Sequence, residues 1–423
     1  MKRALLLLLA TLALVLLLAA AWLWHVNYND GIDVRATTPE PPASAEQLAR
    51  GAYLARAGNC MACHTARGGA PGAGGLALAT PFGTLYSSNL TPDPDTGIGH
   101  WNRATFLRAM HHGRGADGRL LYPGFPYTHT TALTTADVDA LLAHFRSLPP
   151  ARVPVPPHEL RWPYNTQAAL AVWRALYFRP GALPPRTERG PEWNQGAYLV
   201  HAVAHCSACH TPRGRLGGAN WLNLSGGTLP AGWYAPSLAS PHEAGVADWP
   251  AQDIVQLLKT GVSARGSVSG PMAEVVLHGT QHLQGDDLRA MAAYLQTLPQ
   301  STAAPAAARS TAPPASARVG ERLYEQHCAS CHGAQGEGVA GAYPPLAGNR
   351  AVTMARTDNL LQTVLHGGYA PATAGNPRPY GMPPFAQTLS DADIAAVLTH
   401  IRTHWGNQAG EVSPLHVNRL RAR

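Results

Sequence analysis

The pattern Cys-x-x-Cys-His occurs three times in this chain and uses all of its 6 cysteines. The copies are Cys60, Cys63 and His64; Cys206, Cys209 and His210; and Cys328, Cys331 and His332. Two thiols at this spacing lie on one side of a helical turn, so both can add to the vinyl groups of a single haem. The histidine that follows is then placed to ligate the iron. The pattern therefore predicts three covalently bound haem c groups.

Zinc sites and redox-active thiol pairs are the alternatives for such cysteines. Zinc motifs do not require a histidine directly after every second cysteine, and no cysteine remains outside the three copies. We therefore favour haem attachment over both.

Length and charge limit the other possibilities. A chain of 423 residues with three such motifs favours three domains of roughly 100 residues each. The 42 glycines and 37 prolines indicate short helices joined by irregular loops. The formal charge of +7 would be largely cancelled by haem propionates, so it gives no reason to expect nucleic-acid binding.

The N-terminal segment is apolar from Ala4 to Trp24, which is long enough to cross a bilayer. The alternative is a signal peptide removed near Ala19–Ala21, although signal-peptide cores are usually shorter. Aromatic residues at the end of the segment favour an uncleaved anchor. Lys2 and Arg3 would keep the N-terminus in the cytoplasm, so either interpretation exports the remainder of the chain.

The repeat extends beyond the motifs. Gly51–Leu54, which reads Gly-Ala-Tyr-Leu, recurs at Gly196–Leu199 and more loosely at Gly320–Tyr324. Amphipathic helices with acidic first turns are predicted at 136–149, 286–299 and 392–405. We therefore expect domains at 45–150, 191–299 and 317–406 after an anchor or signal segment at 1–28.

Gly51 and Gly196 precede their motifs by about two helical turns. This is too early for glycines that end a helix, but it suits a close approach by a crossing helix. We predict that the first and last helices of each domain cross at these glycines. The expected partner side chains are Phe145, Leu295 and Ile401.

Stretches rich in proline or small residues separate the domains. We predict linkers at 31–44, 149–163, 179–193 and 300–316, and one helix at 168–178. The linker at 300–316 is expected to be extended and mobile. From Asn407 onward the sequence lacks periodicity and ends in arginines, which indicates a solvated tail, with a docking segment as the alternative.

An electron-transfer haem normally has a second axial ligand, which is usually a downstream methionine or histidine. In the third domain we predict Met382, in a rigid loop before the last helix, over Met354 at an expected helix start. In the second domain we predict Met272, which follows Gly-Pro in a glycine-rich loop. Met291 has core spacing in the last helix instead.

The first domain lacks a methionine in the equivalent loop, Leu121–Tyr127. The candidates are His129 just past the loop, Met110, and His111 or His112 at the end of a helix predicted at 104–112. An open or otherwise ligated iron is the remaining alternative. Met110 aligns with Leu258, which favours a core role for it. Because methionine raises haem potential relative to a second histidine, we expect the first haem to have the lowest potential.

The chain resembles the membrane-bound three-haem cytochrome c subunits of periplasmic dehydrogenases that act on alcohols, gluconate, aldehydes and similar substrates. The resemblance spans nearly the whole chain. Besides the haem motifs, it rests on Thr80–Thr84, Ser88–Asp93, Thr96–Trp101, Trp233–Pro236 and Ile401–Asn407. It implies an all-α fold of three tandem class I cytochrome c-like domains after an N-terminal transmembrane or signal helix.

The resemblance also implies a role. Such a subunit performs no catalysis itself; it takes electrons from a separate catalytic subunit and passes them to membrane ubiquinone or to a downstream oxidase. Its place is the bacterial inner membrane, with the haem domains facing the periplasm.

Phe125 departs from the pattern, because alcohol-type members carry a methionine at this position. Phe125–Tyr127 followed by His129 is more similar to the branch that serves molybdenum-containing aldehyde and N-heterocycle dehydrogenases. This narrower resemblance implies a molybdenum-containing catalytic partner.

Two other functions are kept as alternatives. A haem enzyme, such as a peroxidase or a sulfur-compound dehydrogenase, needs an iron with an open position, and only the first domain leaves room for one. The second alternative is the cytochrome c subunit of a terminal oxidase. No further acid, base or nucleophile constellation accompanies the motifs, so electron transfer is favoured.

Overall fold

The computed structural model describes residues 1–35, 41–301 and 314–422. It is mainly helical with short antiparallel ribbons, which confirms the expected fold class. The chain divides into two compact units, Met1–Pro184 with Gly214–Asn220 and Pro185–Arg213 with Trp221–Arg423.

The first unit contains the apolar N-terminal helix and the first repeat. Its helices are α1 (Lys2–Tyr28), α2 (Ala45–Ala57), α3 (Cys60–His64), α4 (Arg103–His112), α5 (Tyr127–Thr130), α6 (Thr135–Arg146) and α7 (Gln167–Tyr177). Its strands, β1 (Ala77–Thr80), β2 (Gly83–Tyr86) and β3 (Glu159–Leu160), form one antiparallel sheet in that order. Strand β3 lies inside the predicted linker 149–163, so part of that linker is held by sheet pairing.

The second unit contains the other two repeats. The helices of the second repeat are α8 (Pro191–Tyr198), α9 (Ala251–Thr260), α10 (Pro271–His278) and α11 (Gly285–Leu295). Its ribbons pair β4 (Gly227–Thr228) with β5 (Tyr234–Ala235) and β6 (Val262–Ser263) with β7 (Gly266–Ser267).

The third repeat follows the same order. Its helices are α12 (Pro314–His327), α13 (Ala329–His332), α14 (Arg350–Thr353), α15 (Asp358–His366), α16 (Asp391–Thr403) and α17 (Pro414–Arg421). Its ribbon pairs β8 (Gly368–Tyr369) with β9 (Gly381–Met382).

Side-chain caps fix where several of these helices begin. The hydroxyl groups of Ser44, Thr134 and Ser390 accept hydrogen bonds from amides three residues later, at the starts of α2, α6 and α16. Asp393 completes a capping box with Ser390. Each such cap contributes about 1 kcal/mol to helix stability.

The first and last helices of each repeat cross at a glycine, as predicted. A Cβ atom on Gly51, Gly196 or Gly320 would lie 1.9, 1.9 or 2.4 Å from a backbone carbonyl oxygen of the crossing helix. Those oxygens belong to Ala140, Ala290 and Ala396. The glycines thus let two helix backbones touch directly.

The predicted partners of these glycines were wrong. Phe145, Leu295 and Ile401 are buried, but the atoms nearest to the glycines belong to the alanines and to residues one turn later, His144, Tyr294 and His400. A position without a side chain admits the opposing backbone, whereas a large side chain would have held the two helices apart.

The predicted solvated tail after Asn407 was also wrong. Helix α17 inserts Val417 and Leu420 into the core of the third repeat, where both are buried. The buried Arg402 donates to the carbonyl of Gly410 at 2.7 Å, and Arg421 pairs with Asp391 at 2.6 Å. The segment therefore completes its own domain.

The second and third repeats pack against each other within their unit. Arg350 donates to the carboxylate of Asp248 at 2.6 Å, and Gln362 donates to the carbonyl of Ala231 at 2.6 Å. Most of the predicted linker 300–316 lies outside the described residues. These contacts hold the two repeats together independently of that linker.

We expect Gly196→Ala to lower the free energy of unfolding by about 1–3 kcal/mol, because the added methyl group would overlap the Ala290 carbonyl of the crossing helix. Urea unfolding of the full chain, followed by circular dichroism, measures the change.

Gly285→Ala is the matched control, since its Cβ would lie 3.3 Å from the flexible end of Arg289. Equal unfolding midpoints for the two variants would refute the crossing role.

Candidate functional site

Each Cys-x-x-Cys-His motif lies on one tight helical turn. The first occupies α3, the second begins with the 3-10 turn Cys206–Ala208, and in the third Cys328 immediately precedes α13. All 6 cysteines lie within the described residues, and none of them forms a disulfide. Each motif thus presents two thiols and an imidazole from a single turn.

The approach to the motif differs among the repeats because the spacing differs. Gly51 precedes Cys60 by nine positions, Gly196 precedes Cys206 by ten, and Gly320 precedes Cys328 by eight. A π-helical turn at Leu199–Val203 accommodates the extra residue of the second repeat.

The residue just before the motif adopts the left-handed conformation in the first two repeats, at Asn59 (φ 51°) and His205 (φ 38°). In the third repeat α12 continues to His327, directly before Cys328. With the shorter spacing of the third repeat, the chain enters the motif directly from the helix and needs no left-handed residue before Cys328.

The motif histidines share one hydrogen-bond pattern. The Nδ1 atoms of His64, His210 and His332 lie 2.7, 2.6 and 3.0 Å from the carbonyl oxygens of Ser88, Pro236 and Pro344. A carbonyl oxygen can only accept, so Nδ1 carries the proton and Nε2 keeps its lone pair. This is the tautomer and the outer contact that a metal-ligating histidine requires.

Burial favours the uncharged forms of the motif histidines and of the first cysteine in each motif. It lowers the pKa of His64, His210 and His332, so the neutral imidazole persists. It raises the pKa of Cys60 and Cys206 to about 12 and that of Cys328 to about 11.

Redox-active thiol pairs require a lowered thiol pKa, which is the opposite of the raised pKa of Cys60, Cys206 and Cys328. The described residues also contain no group of three or more His, Cys, Asp or Glu side chains placed to hold a metal ion. Two thiols beside an imidazole whose Nε2 keeps its lone pair fit covalent haem attachment.

The three carbonyl acceptors were missed by the sequence analysis, because they are backbone atoms 24, 26 and 12 residues from their histidines. Close backbone approaches hold two of the acceptor segments. A Cβ on Gly74 would lie 2.5 Å from the carbonyl carbon of Ser88. Gly227 pairs with Ala235, next to Pro236, and a Cβ on it would lie 2.4 Å from the carbonyl oxygen of Cys209 in the motif. Prolines and glycines in these segments are the signal that sequence could have offered.

Met382, the predicted distal ligand of the third site, lies on β9 and is half-buried. It packs on the same core as Cys328 and Phe385. Gly367 (φ +68°) lets the chain pass the Met382 carbonyl, which would be 2.4 Å from a Cβ there. Its competitor Met354 is buried and follows the end of α14, rather than beginning a helix as predicted.

Met272 lies in the first turn of α10, so its predicted loop is in fact a helix start. It is half-buried. Gly270 before it (φ +52°) lies against the Trp233 ring, which would be 2.5 Å from a Cβ. Met291, with 1% of its surface exposed, is a core residue as predicted.

In the first repeat Met110 takes the place of a core leucine. The hydroxyl of Thr130 donates to the Met110 carbonyl at 2.6 Å. In the second repeat the hydroxyl of Thr280 donates to the Leu258 carbonyl, also at 2.6 Å. Both acceptor residues are buried. This equivalence supports the predicted core role of Met110.

The histidine candidates of the first repeat lie close to this position. His129, on α5, is buried, and its Nδ1 lies 3.0 Å from the Thr128 hydroxyl. His111, on α4, bonds the Leu133 carbonyl, and its buried Nε2 has no hydrogen-bond partner among the described residues. His112 lies at the end of α4.

Side chains of the third repeat contact the segment that carries Pro236. Asn359 on α15 accepts from the Tyr234 amide at 2.8 Å and donates to the Tyr234 carbonyl at 2.7 Å. The Arg356 guanidinium lies 4.4 Å from the centre of the Tyr234 ring. The acceptor of His210 is therefore positioned partly by the neighbouring repeat.

Comparison with known proteins divides the chain into the same three repeats. The cytochrome c family model matches residues 48–149, 195–299 and 317–405. The cytochrome c subunit of the quinone alcohol dehydrogenase of Gluconacetobacter polyoxogenes is 39% identical over 406 residues, covering 91% of this chain and 86% of that protein. The gluconate 2-dehydrogenase cytochrome c subunit of Pantoea cypripedii is 35% identical, covering 88% and 89%.

A third relative is much longer than this chain. It is a nicotinate dehydrogenase subunit of Pseudomonas putida, which is 42% identical over 370 residues that cover 84% of this chain and 30% of that protein. The chain thus corresponds to one part of this larger protein.

We expect Asn359→Ala to accelerate hydrogen exchange at the Tyr234 amide roughly fivefold to tenfold, as the loss of about 1 kcal/mol per hydrogen bond predicts. Hydrogen–deuterium exchange with mass spectrometry of the full chain measures this.

Asn418→Ala, which removes an exposed asparagine bonded to Asp391 in the same repeat, is the control. Identical exchange at Tyr234 in both variants would show that Asn359 does not hold this segment.

Proposed function

The chain belongs to the cytochrome c family, and from that premise we propose that it is the electron-transfer subunit of a dehydrogenase complex that delivers electrons to quinone. The most direct support for the proposed role is that three motifs each place two thiols beside a histidine whose tautomer is fixed by a backbone carbonyl. Three relatives that match most of the chain are named as cytochrome c subunits of dehydrogenases, and two of those names specify quinone.

Haem c supplies an iron that exchanges one electron at a time. We propose one haem at each motif, held by the cysteines and ligated by Nε2 of His64, His210 and His332. Carbonyl acceptors fix the rings, so ligand orientation does not depend on side-chain freedom. Such sites carry electrons without bond chemistry.

The distal ligands are proposed as Met382, Met272 and His129. Met382 and Met272 are half-buried on segments whose backbones are fixed by Gly367 and Gly270. His129 is buried, and the core position of Met110 argues against ligation by that methionine. His111 is the second candidate in the first domain because its Nε2 is buried and unpaired among the described residues.

The catalytic partner is proposed to contain molybdenum and to act on an N-heterocycle or an aldehyde. Phe125 in place of a methionine supports this, and so does the likeness to a nicotinate dehydrogenase subunit, since nicotinate is an N-heterocycle. Ubiquinone, or a downstream oxidase, would receive the electrons.

The location is proposed as the periplasmic face of the inner membrane. Helix α1 has 27 residues, its most apolar stretch of 18 residues has a mean hydropathy of 2.9, and it is the one membrane-span candidate among the described residues. Lys2 and Arg3 precede its apolar run, which orients the remaining chain outward. Determining the N-terminal residue of the mature protein separates an anchor from a cleaved signal.

The distal ligands are tested by single substitutions in the full haem-loaded chain. Met382→Leu and Met272→Leu should each lower one haem potential by on the order of 0.1 V, within the roughly 0.8 V range that axial ligands span. His129→Leu should convert the first haem to a high-spin spectrum. Potentiometric titration followed by optical spectra measures the haem potentials of the two methionine variants. Optical and electron paramagnetic resonance spectra determine the spin state in the His129 variant.

Met354→Leu, a buried methionine without a proposed role, is the control and should leave every potential unchanged. If His111→Leu rather than His129→Leu changes the first haem spectrum, the assignment passes to His111. Unaltered potentials in both methionine variants would refute those ligands.

The role itself is tested by isolating the native complex through a tag on the C-terminus. A large dehydrogenase subunit should co-purify, metal analysis should find molybdenum, and substrate should reduce all haems. Another cofactor in that subunit would refute the molybdenum assignment. Recovery with an oxidase core subunit, or tight carbon monoxide binding to the first haem, would favour the alternative functions instead.

A further inference from the structure

Helix α7 has apolar residues on two opposite faces. Leu170 faces inward and is buried. On the other side, Ala168, Val172 and Leu176 follow one another at four-residue spacing, and all three are exposed. Val172 is 45% exposed and Leu176 57%. We call these three residues the outer α7 stripe.

A stripe with this spacing is normally the buried face of a helix. Here both faces are apolar, yet only one is covered by the unit that contains it. Exposed apolar stripes of this kind indicate contact with another apolar phase.

The structure shows what lies beside this helix. Asn27, in the last turn of α1, is buried and donates to the Ala171 carbonyl of α7 at 3.1 Å. It accepts from the buried Arg174 at 2.9 Å. Arg174 also donates to the His112 carbonyl at 2.7 Å, which ties both helices to the first repeat.

A second contact fixes the same end of α1. Asp30 forms an ion pair with Arg114, and both side chains are largely buried. Arg114 also donates to the Tyr28 carbonyl at 3.1 Å. The last turn of α1 is therefore bound rigidly to the domain rather than linked by a free hinge.

The level of α7 relative to a bilayer follows from α1. A helix of 27 residues is about 40 Å long, and the hydrocarbon layer is about 30 Å thick. Its final turns must then reach the headgroup region. Trp24 and Tyr28 stack there with ring centres 4.6 Å apart, as aromatic residues do at membrane interfaces. The Asn27 contact places α7 at this depth.

We propose that the outer α7 stripe lies in the interfacial layer of the same phospholipid bilayer that α1 crosses. The inference rests on the proposed membrane anchoring of α1. The stripe gives the first domain a second membrane contact beside the anchor, and two contacts fix the tilt of the domain relative to the membrane.

The test uses the wild-type haem-loaded chain, without its catalytic partner, in nanodiscs whose phosphatidylcholine carries a photoactivatable diazirine in its acyl chain. After illumination, mass spectrometry locates the labelled peptides. Label on α7 should exceed, several-fold, label at Val339 and Leu415. These two apolar residues have similar exposure, 49% and 59%, and lie elsewhere in the chain. Label on α1 is the positive control.

Val172→Glu with Leu176→Glu should abolish the α7 label and leave α1 labelled, while Val339→Glu should change neither. Label on α1 with none on α7 above the Val339 level would overturn the inference and leave the anchoring intact. No label on either helix would overturn both. A stripe covered by a protein partner gives the first of these negative results, because the partner is absent from the nanodiscs.

Discussion

The hydrogen bond from each motif histidine to a backbone carbonyl is the interaction on which the rest of the site depends. The motif places thiols and imidazole on one turn, but it does not choose the ring nitrogen that faces the iron. Carbonyl groups of Ser88, Pro236 and Pro344 make that choice. In each repeat the fold brings one loop carbonyl within hydrogen-bond distance of one ring.

The scaffold behind these bonds is the helix crossing. In each repeat two backbones meet at a glycine, and the motif follows eight to ten residues later. Because the crossing is fixed, a change in spacing must be absorbed between glycine and cysteine. The π-helical turn and the left-handed residues at Asn59 and His205 accommodate these differences. Three copies thus keep one geometry with three different lead-in segments.

Sequence could predict what is encoded in side-chain types and spacing: the haem motifs, the terminal helices of each repeat, the crossing glycines and the helix that became α7. It failed for α17, where Val417 and Leu420 are too few to set a period and only tertiary burial reveals the helix. It also missed the carbonyl acceptors, because every residue has a carbonyl and only the fold selects one. The helical setting of Met272 depended on tertiary context in the same way.

The pairing of Asn359 with Tyr234 affects whether the second repeat can be separated from the third. The amide side chain of Asn359 reproduces, at Tyr234, the donor and acceptor pair that a neighbouring strand would offer to the outer edge of β5. The third repeat therefore covers this edge of the second, and a fragment that ended after the second repeat would leave the N–H and carbonyl groups of Tyr234 without these partners.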